Sequence, residues 1–453
     1  MPFFVRAADA RDRRCVSITE ERLFRALRYH GHQINPIHIC LEHRGKIDLQ
    51  RIKGALDCAV QEFESLRTLF VETDGGIERL IRDHLDYDLT HIFDKGRSKQ
   101  DTEKLIETIG LEMVRYDYDA TTGPIMRAVV LETSFDCDYL ILNISHLACD
   151  FASLAIVAQF VLRRYSGSQS QHEEPDRLQA VDFAVSQRQY LQAASRKELQ
   201  RAHIERLCDV NHRFMPFGRT ASGQPNEKNL RVEKRPLPDW FLAGGMRQIK
   251  GLAAAMIALQ VVELSAHSSF SLLMPRMNRQ APFSKDIVGY IANTIMIRAP
   301  AEREQALPDF IKWIKGELHV NNDTNHIPYA LLAPHLTEPP NVSFNYFPGN
   351  LQRDLIDGWC LHGPGLMASL TSAFDASFYV IEPLREVHFL YFDSFMNQEE
   401  ARLSADLFVA GLEAVKERSM TIAEVVQDLR HSQIPNRLLR PSATEYRQAP
   451  SLS

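Results

Sequence analysis

Apolar residues along the first third of the chain recur with two different periods. Residues 37–41 form a short apolar run of strand length, while 49–64 places Ile52, Leu56, Ala59, Val60 and Phe63 at helical spacing. Residues 125–131 and 139–144 are continuous apolar runs of strand length, which predicts two strands. An amphipathic helix is predicted after residue 150, with Phe151, Leu154, Ala155, Ala158, Val161, Leu162 and Tyr165 on one face. Between 166 and 176 the chain turns to Ser, Gln, His and Glu and closes on Pro175 and Asp176, which is linker chemistry. A helical pattern then runs from about 180 to 207.

A second series follows. It comprises a small-residue helix over 245–264, a strand over 270–274, strands near Ile295 and Val342, and a closing helix over 398–416. Strands and helices mix in both halves, which predicts an α/β or α+β arrangement in each. A chain of 453 residues is too long for one ordinary core. The expected division is a first lobe at 1–170, a second at 171–437 and a disordered tail at 438–453.

Composition narrows the function. The chain is 45% hydrophobic and 24% charged with a formal net charge of −6, and its densest basic stretch, residues 11–14, is interrupted by Asp12. That balance excludes a nucleic-acid footprint of clustered basic residues. The opening residues carry too short an apolar run for a secretory leader, and Glu263 interrupts the most apolar stretch, which is too short to span a bilayer. Seven scattered cysteines with no C-x-x-C pair read as reduced thiols in a cytoplasmic protein, and no metal site is expected.

The candidate chemistry is His-x-x-x-Asp. It occurs four times among 17 histidines, at His84/Asp88, His146/Asp150, His172/Asp176 and His319/Asp323, so spacing alone selects none. His172 falls in the linker, His84 in a polar stretch, and His319 beside a turn-like pair of asparagines. Only His146 follows a buried-looking strand and precedes an amphipathic helix. There, Asp150 reads equally well as the helix N-cap, with His146 as a packed core histidine.

The surrounding motifs resemble those of the condensation domain family of nonribosomal peptide synthesis. Ser145-His146-Leu147-Ala148-Cys149-Asp150-Phe151 resembles its His-His-x-x-x-Asp-Gly stretch. Phe63 to Phe70 (FESLRTLF), Tyr118 to Arg127 (YDATTGPIMR) and Asp182 to Arg188 (DFAVSQR) resemble three further elements. Met274 to Arg279 (MPRMNR), Val288 to Thr294 (VGYIANT), His326 to Tyr329 and Val342 to Tyr346 (VSFNY) complete the series in the family's order, between about residues 17 and 415.

The resemblance implies two chloramphenicol-acetyltransferase-like lobes forming a V-shaped pseudo-dimer around a central tunnel. It implies a free-standing condensation enzyme that transfers an acyl or aminoacyl thioester from a carrier protein to an amine, or less readily an alcohol. No cofactor is implied: substrates ride on the phosphopantetheine of partner acyl or peptidyl carrier proteins, and the acceptor is carrier-bound or a free small molecule. His146 would be catalytic, with Asp150, Arg279 and Ser145 supporting it and Phe151, Asn345 and Ser343 contacting substrate. Asp150 would turn from substrate to pair with Arg279, whereas Arg67, Arg127, His326 and Tyr329 would hold the fold and Cys149 would pack as a buried thiol.

The central motif departs from the family pattern twice, with Ser145 in place of a His and Phe151 in place of a Gly. Those departures keep open a non-catalytic scaffold that docks carrier proteins or recruits a partner enzyme. Epimerisation, the activity of a sister group, fits less well, because residues 275–279 lack that group's Glu and His.

Overall fold

The computed structural model describes residues 5–435 apart from 30–35, 95, 168–176, 209–212, 215, 218–228, 264–269, 280–283, 299–304, 349–353, 357, 363–373 and 417–419. Most of the expected linker, with His172 and Asp176, and the expected tail lie outside the described residues. The first half contains helices α1 (Ile18–Tyr29), α2 (Leu49–Glu62), α3 (Lys99–Val114) and α4 (Phe151–Tyr165). Its strands are β1 (Ile37–Arg44), the hairpin β2 (Thr68–Thr73) and β3 (Gly76–Ile81), then β4 (Asp88–Asp94), β5 (Met126–Thr133) and β6 (Cys137–Ile144).

Strand β6 lies antiparallel between β1 and β5, with Leu140 opposite Leu41 on one side and Leu142 opposite Ala128 on the other. Its alternate side chains enter two different cores. Leu140, Leu142 and Ile144 pack with α2 and α4, whereas Tyr139 and Ile141 pack with Ile106, Ile109 and Met113 of α3. Helices therefore cover both faces of the sheet, which explains a continuous apolar run where a one-sided strand would alternate.

The second half begins with α5 (Ala180–Gln192) and α6 (Ala194–Cys208). It continues through β7 (Leu230–Pro236), α7 (Asp239–Ala243), α8 (Arg247–Val262), β8 (Ser271–Arg276), β9 (Asn293–Arg298), α9 (Leu307–Thr324) and α10 (Tyr329–Leu332). Then come β10 (Val342–Phe347), β11 (Asp354–Ile356), β12 (Trp359–Leu361), β13 (Ala376–Ile381), β14 (Glu386–Phe392), α11 (Gln398–Lys416) and α12 (Ile422–Gln433). A six-stranded mixed sheet runs β7-β14-β13-β10-β8-β9. Strand β10 is parallel to β13 and β8, and the remaining pairs are antiparallel. The small-residue helix α8 is buried from Gly251 to Val262. A Cβ on Gly411 of α11 would stand 3.0 Å from the Ala254 carbonyl oxygen, so only a glycine lets these two helices approach so closely.

Two sequence expectations need correction. The pattern over 180–207 is two helices, because Ala193 between them is extended. The break redirects the chain: α5 is enclosed along its length, while Leu207 at the end of α6 packs against Leu273 and Met296 on β8 and β9. The division at residue 170 follows the chain but not the sheets. Strands β11 and β12 join the first sheet, where β12 pairs with β1 through Leu41 opposite Leu361. This covers an edge that β1 would otherwise expose. Trp359 anchors the crossing, fully buried with ring centroids 4.5 Å from His43 and 5.5 Å from Tyr165. In the opposite direction, Val5 and Ala7 donate backbone hydrogen bonds to Ser186 and Asp182 of α5.

Candidate active site at the junction of the lobes

At the end of β6 the Ser145 amide donates to the Ile125 carbonyl at 2.9 Å, and the chain then turns toward α4. Within the otherwise buried segment from Ser145 to Asp150, His146 alone is half-exposed. Its Nδ1 lies 2.9 Å from the Cys149 carbonyl oxygen. A carbonyl only accepts, so in the neutral ring Nδ1 carries the proton and Nε2 keeps its lone pair. Burial lowers the His146 pKa below the usual 6.5, while the Cys149 carbonyl and the charge of Asp150 act in the opposite direction. The Tyr290 ring meets the imidazole edge to face at 5.1 Å between centroids.

Asp150 is both the N-cap of α4 and the partner of Arg279. Its Oδ1 accepts from the Ser153 amide and from Arg279 Nη2, each at 2.8 Å. Its Oδ2 accepts from the Ile291 and Ala292 amides at 3.2 and 3.1 Å. The carboxylate therefore faces the 289–292 loop. Arg279 also donates through Nη1 to the Ser284 and Ile287 carbonyls, at 2.8 and 2.7 Å. Ser153 completes the cluster, accepting from the Gly289 amide at 3.0 Å and from Arg279 at 2.7 Å. Gly289 is required, since a Cβ there would come within 2.6 Å of the Ala180 Cβ.

The other residues expected to contact substrate lie on β10 and at the start of α4. Ser343 is buried and bonds the Ser377 hydroxyl at 2.7 Å, joining β10 to β13. Asn345 is half-buried two residues further along β10, so it shares a face with Ser343 and Phe347. Among the described residues, neither Ser343 nor Asn345 makes a polar contact with His146. Phe151 meets Phe347 edge to face at 5.2 Å, and Phe347 stacks on Tyr379 at 5.9 Å. Residue 151 is thus one side of an aromatic contact between the lobes. Tyr290 lies within one motif visible in the sequence and Phe347 directly after another, yet nothing there marks their rings as partners of His146 and Phe151.

Cys149 is fully buried with its pKa pushed up by burial, so it stays a neutral thiol. Arg67 donates to the Arg82 and Gln61 carbonyls, and Arg127 pairs with Asp88 at 3.1 Å and lies 4.1 Å from the Tyr116 ring centroid. His326 bonds the Tyr190 hydroxyl at 2.8 Å, and the Tyr329 amide donates to Asn293 Oδ1 at 3.0 Å. Of the competing histidines, His84 is exposed beside Asp86 and His319 is exposed on α9. Among the described residues no group of three or more His, Cys, Asp or Glu side chains is placed to hold a metal ion, and no helix is long and apolar enough to cross a membrane.

Two mixed sheets, each flanked by helices, with one half-exposed histidine at the junction, define a two-lobed chloramphenicol-acetyltransferase-like protein. The family model described as Condensation domain matches residues 18–203. Surfactin synthase subunit 1 of Bacillus subtilis (strain 168) is 26% identical over 313 residues, 66% of this chain. The chain spans only 8% of that relative's length. Among solved structures, the condensation domain of the Monacolin K polyketide synthase MokA superposes with a TM-score of 0.74 at 15% identity, covering 90% of this chain and 99% of that one. The X-domain from teicoplanin biosynthesis superposes with a TM-score of 0.75 at 14% identity, covering 92% and 98%. Residues 18–203 thus match the condensation domain family, and the described chain shares the fold of solved condensation domains.

Proposed function

We propose that this protein transfers an acyl or aminoacyl group from a carrier-protein thioester to an amine, with His146 as the group that accepts the amine proton. The observation that carries the reading is the bond from His146 Nδ1 to the Cys149 carbonyl, which leaves Nε2 as a free acceptor on a half-exposed ring. General-base help of this kind contributes about 10²–10⁴-fold. Two substrates held in register by carrier-borne phosphopantetheine arms would gain further from proximity. Asp150 and Arg279 keep the 145–150 segment and the 289–292 loop in place, and they act on the reaction only through His146. The seven free thiols suit a reducing cytoplasm.

The test is transfer from loaded carrier proteins to amines, followed by intact mass. Carrier-bound donors should react much faster than the same acyl group on coenzyme A, and His146→Ala should lower turnover by about 10²-fold or more with the fold intact. Equal use of coenzyme A rejects the carrier-bound donor, and a His146→Ala variant at parental rate rejects the catalytic assignment.

A second reading, a non-catalytic scaffold that docks carrier proteins, is favoured by one observation. The Phe151 ring joins Phe347 where a glycine would leave open space beside the histidine segment. Carrier binding without transfer of any acyl group would establish that reading instead.

A further inference from the structure

Amine attack on a thioester moves charge onto the carbonyl oxygen, and a base alone does not stabilise that charge. The group nearest to this task is Tyr290. Its ring lies against the imidazole of His146, and it also packs on the cluster that contains Leu23, Phe24 and Leu147. Its neighbours in the chain are fixed: Gly289 bonds Ser153, while the Ile291 and Ala292 amides bond Asp150. A side chain projecting from such a loop is held without cost at the moment of reaction. Tyr290 is half-buried, and its hydroxyl has no hydrogen-bond partner among the described residues. Burial pushes its pKa up to about 12, so near neutral pH it keeps its proton and is a donor.

We propose that the Tyr290 hydroxyl donates a hydrogen bond to the thioester carbonyl oxygen as the tetrahedral intermediate forms beside His146. The inference rests on the acyl-transfer reading. The amine nitrogen bonds to the carbonyl carbon, the carbonyl π pair moves to oxygen, and the amine proton passes to His146 Nε2. Collapse re-forms the carbonyl and breaks the carbon–sulfur bond, and the departing thiolate takes the proton back from the imidazolium. Tyr290 gives up no proton in this cycle. The site therefore presents complementary groups, an acceptor at Nε2 and a donor at the phenol, from loops of different lobes.

Tyr290→Phe keeps the ring and its contact with His146 but removes the donor. It should lower kcat by roughly 10²-fold, the effect of losing one oxyanion donor. KM, melting temperature and the rising limb of the pH–rate profile should stay at parental values, which separates hydrogen bonding from packing. Parental kcat in Tyr290→Phe, or a loss confined to KM, overturns the proposal while leaving the acyl-transfer reading intact. A parent protein that transfers nothing from any loaded carrier overturns both together.

Discussion

Arg279 Nη2 lies 2.8 Å from Asp150 Oδ1 and 2.7 Å from the Ser153 hydroxyl, so one nitrogen of the second lobe closes the first turn of a helix in the first. Both side chains of the ion pair are almost completely withdrawn from solvent. Removing either member leaves the other charge buried and uncompensated, a loss of about 3–5 kcal/mol.

Asp150→Ala and Arg279→Ala should therefore each lower the melting temperature strongly, and the double variant should cost less than the sum of the two. A double-mutant cycle by thermal or urea denaturation measures this. Asp150→Asn retains an acceptor for the Ser153 amide and should fall between the parent and Asp150→Ala. Additive single losses would show that the two residues act independently.

The pH dependence of transfer follows from the depressed pKa of His146. The base form predominates above a value lower than 6.5 and is lost as pH falls through it. With a weakly basic amine acceptor that stays neutral across the window, the rising limb of kcat/KM should have its midpoint below pH 6.5, and His146→Ala should flatten that limb. Initial rates between pH 4.5 and 8 read the outcome; a midpoint above 6.5 contradicts the assigned environment.

Stability should share this direction. Burial lowers the pKa of His146, His388 and His43, and that of His203 to about 4. Below pH 6.5 the unfolded chain binds protons that these folded side chains resist, so the unfolded state carries more protons and stability falls with pH. Their contribution is fully present above pH 6.5 and declines toward pH 4. Urea midpoints across that window should drop on acidification, and His203→Gln should make the drop shallower.

Phe151→Gly removes one ring from the contact with Phe347 and opens space beside the histidine segment. The variant should keep transfer activity, accept bulkier amines than the parent and lose a modest amount of stability, since an aromatic pair contributes about 0.5–1.5 kcal/mol beyond its buried area. Competition between a small and a branched amine in one reaction checks this. An unchanged product ratio would show that residue 151 does not border the acceptor.

The sequence carried strand β6 and the cap of α4 clearly, because each is written in local terms. A strand buried on both faces needs an unbroken apolar run, and an aspartate before an amphipathic helix is a cap signal. The pairing of Asp150 with Arg279 was legible only from the order of motifs along the chain. The break at Ala193 was not legible, since helical residues continue on both sides and packing sets the turn. Nor were the meetings of Tyr290 with His146 and Phe347 with Phe151, because ring contacts between lobes leave no periodic trace.

The crossing of β11 and β12 into the first sheet bears on how the protein is made. The first lobe's sheet takes its last two strands from residues 354–361, so during synthesis it stays incomplete until Trp359 and Leu361 have left the ribosome. Its β1 edge stands bare through that interval, while most of the second lobe is being translated. Cutting the chain at residue 170 would leave four of the six strands, with the β1 edge open to pairing with another strand.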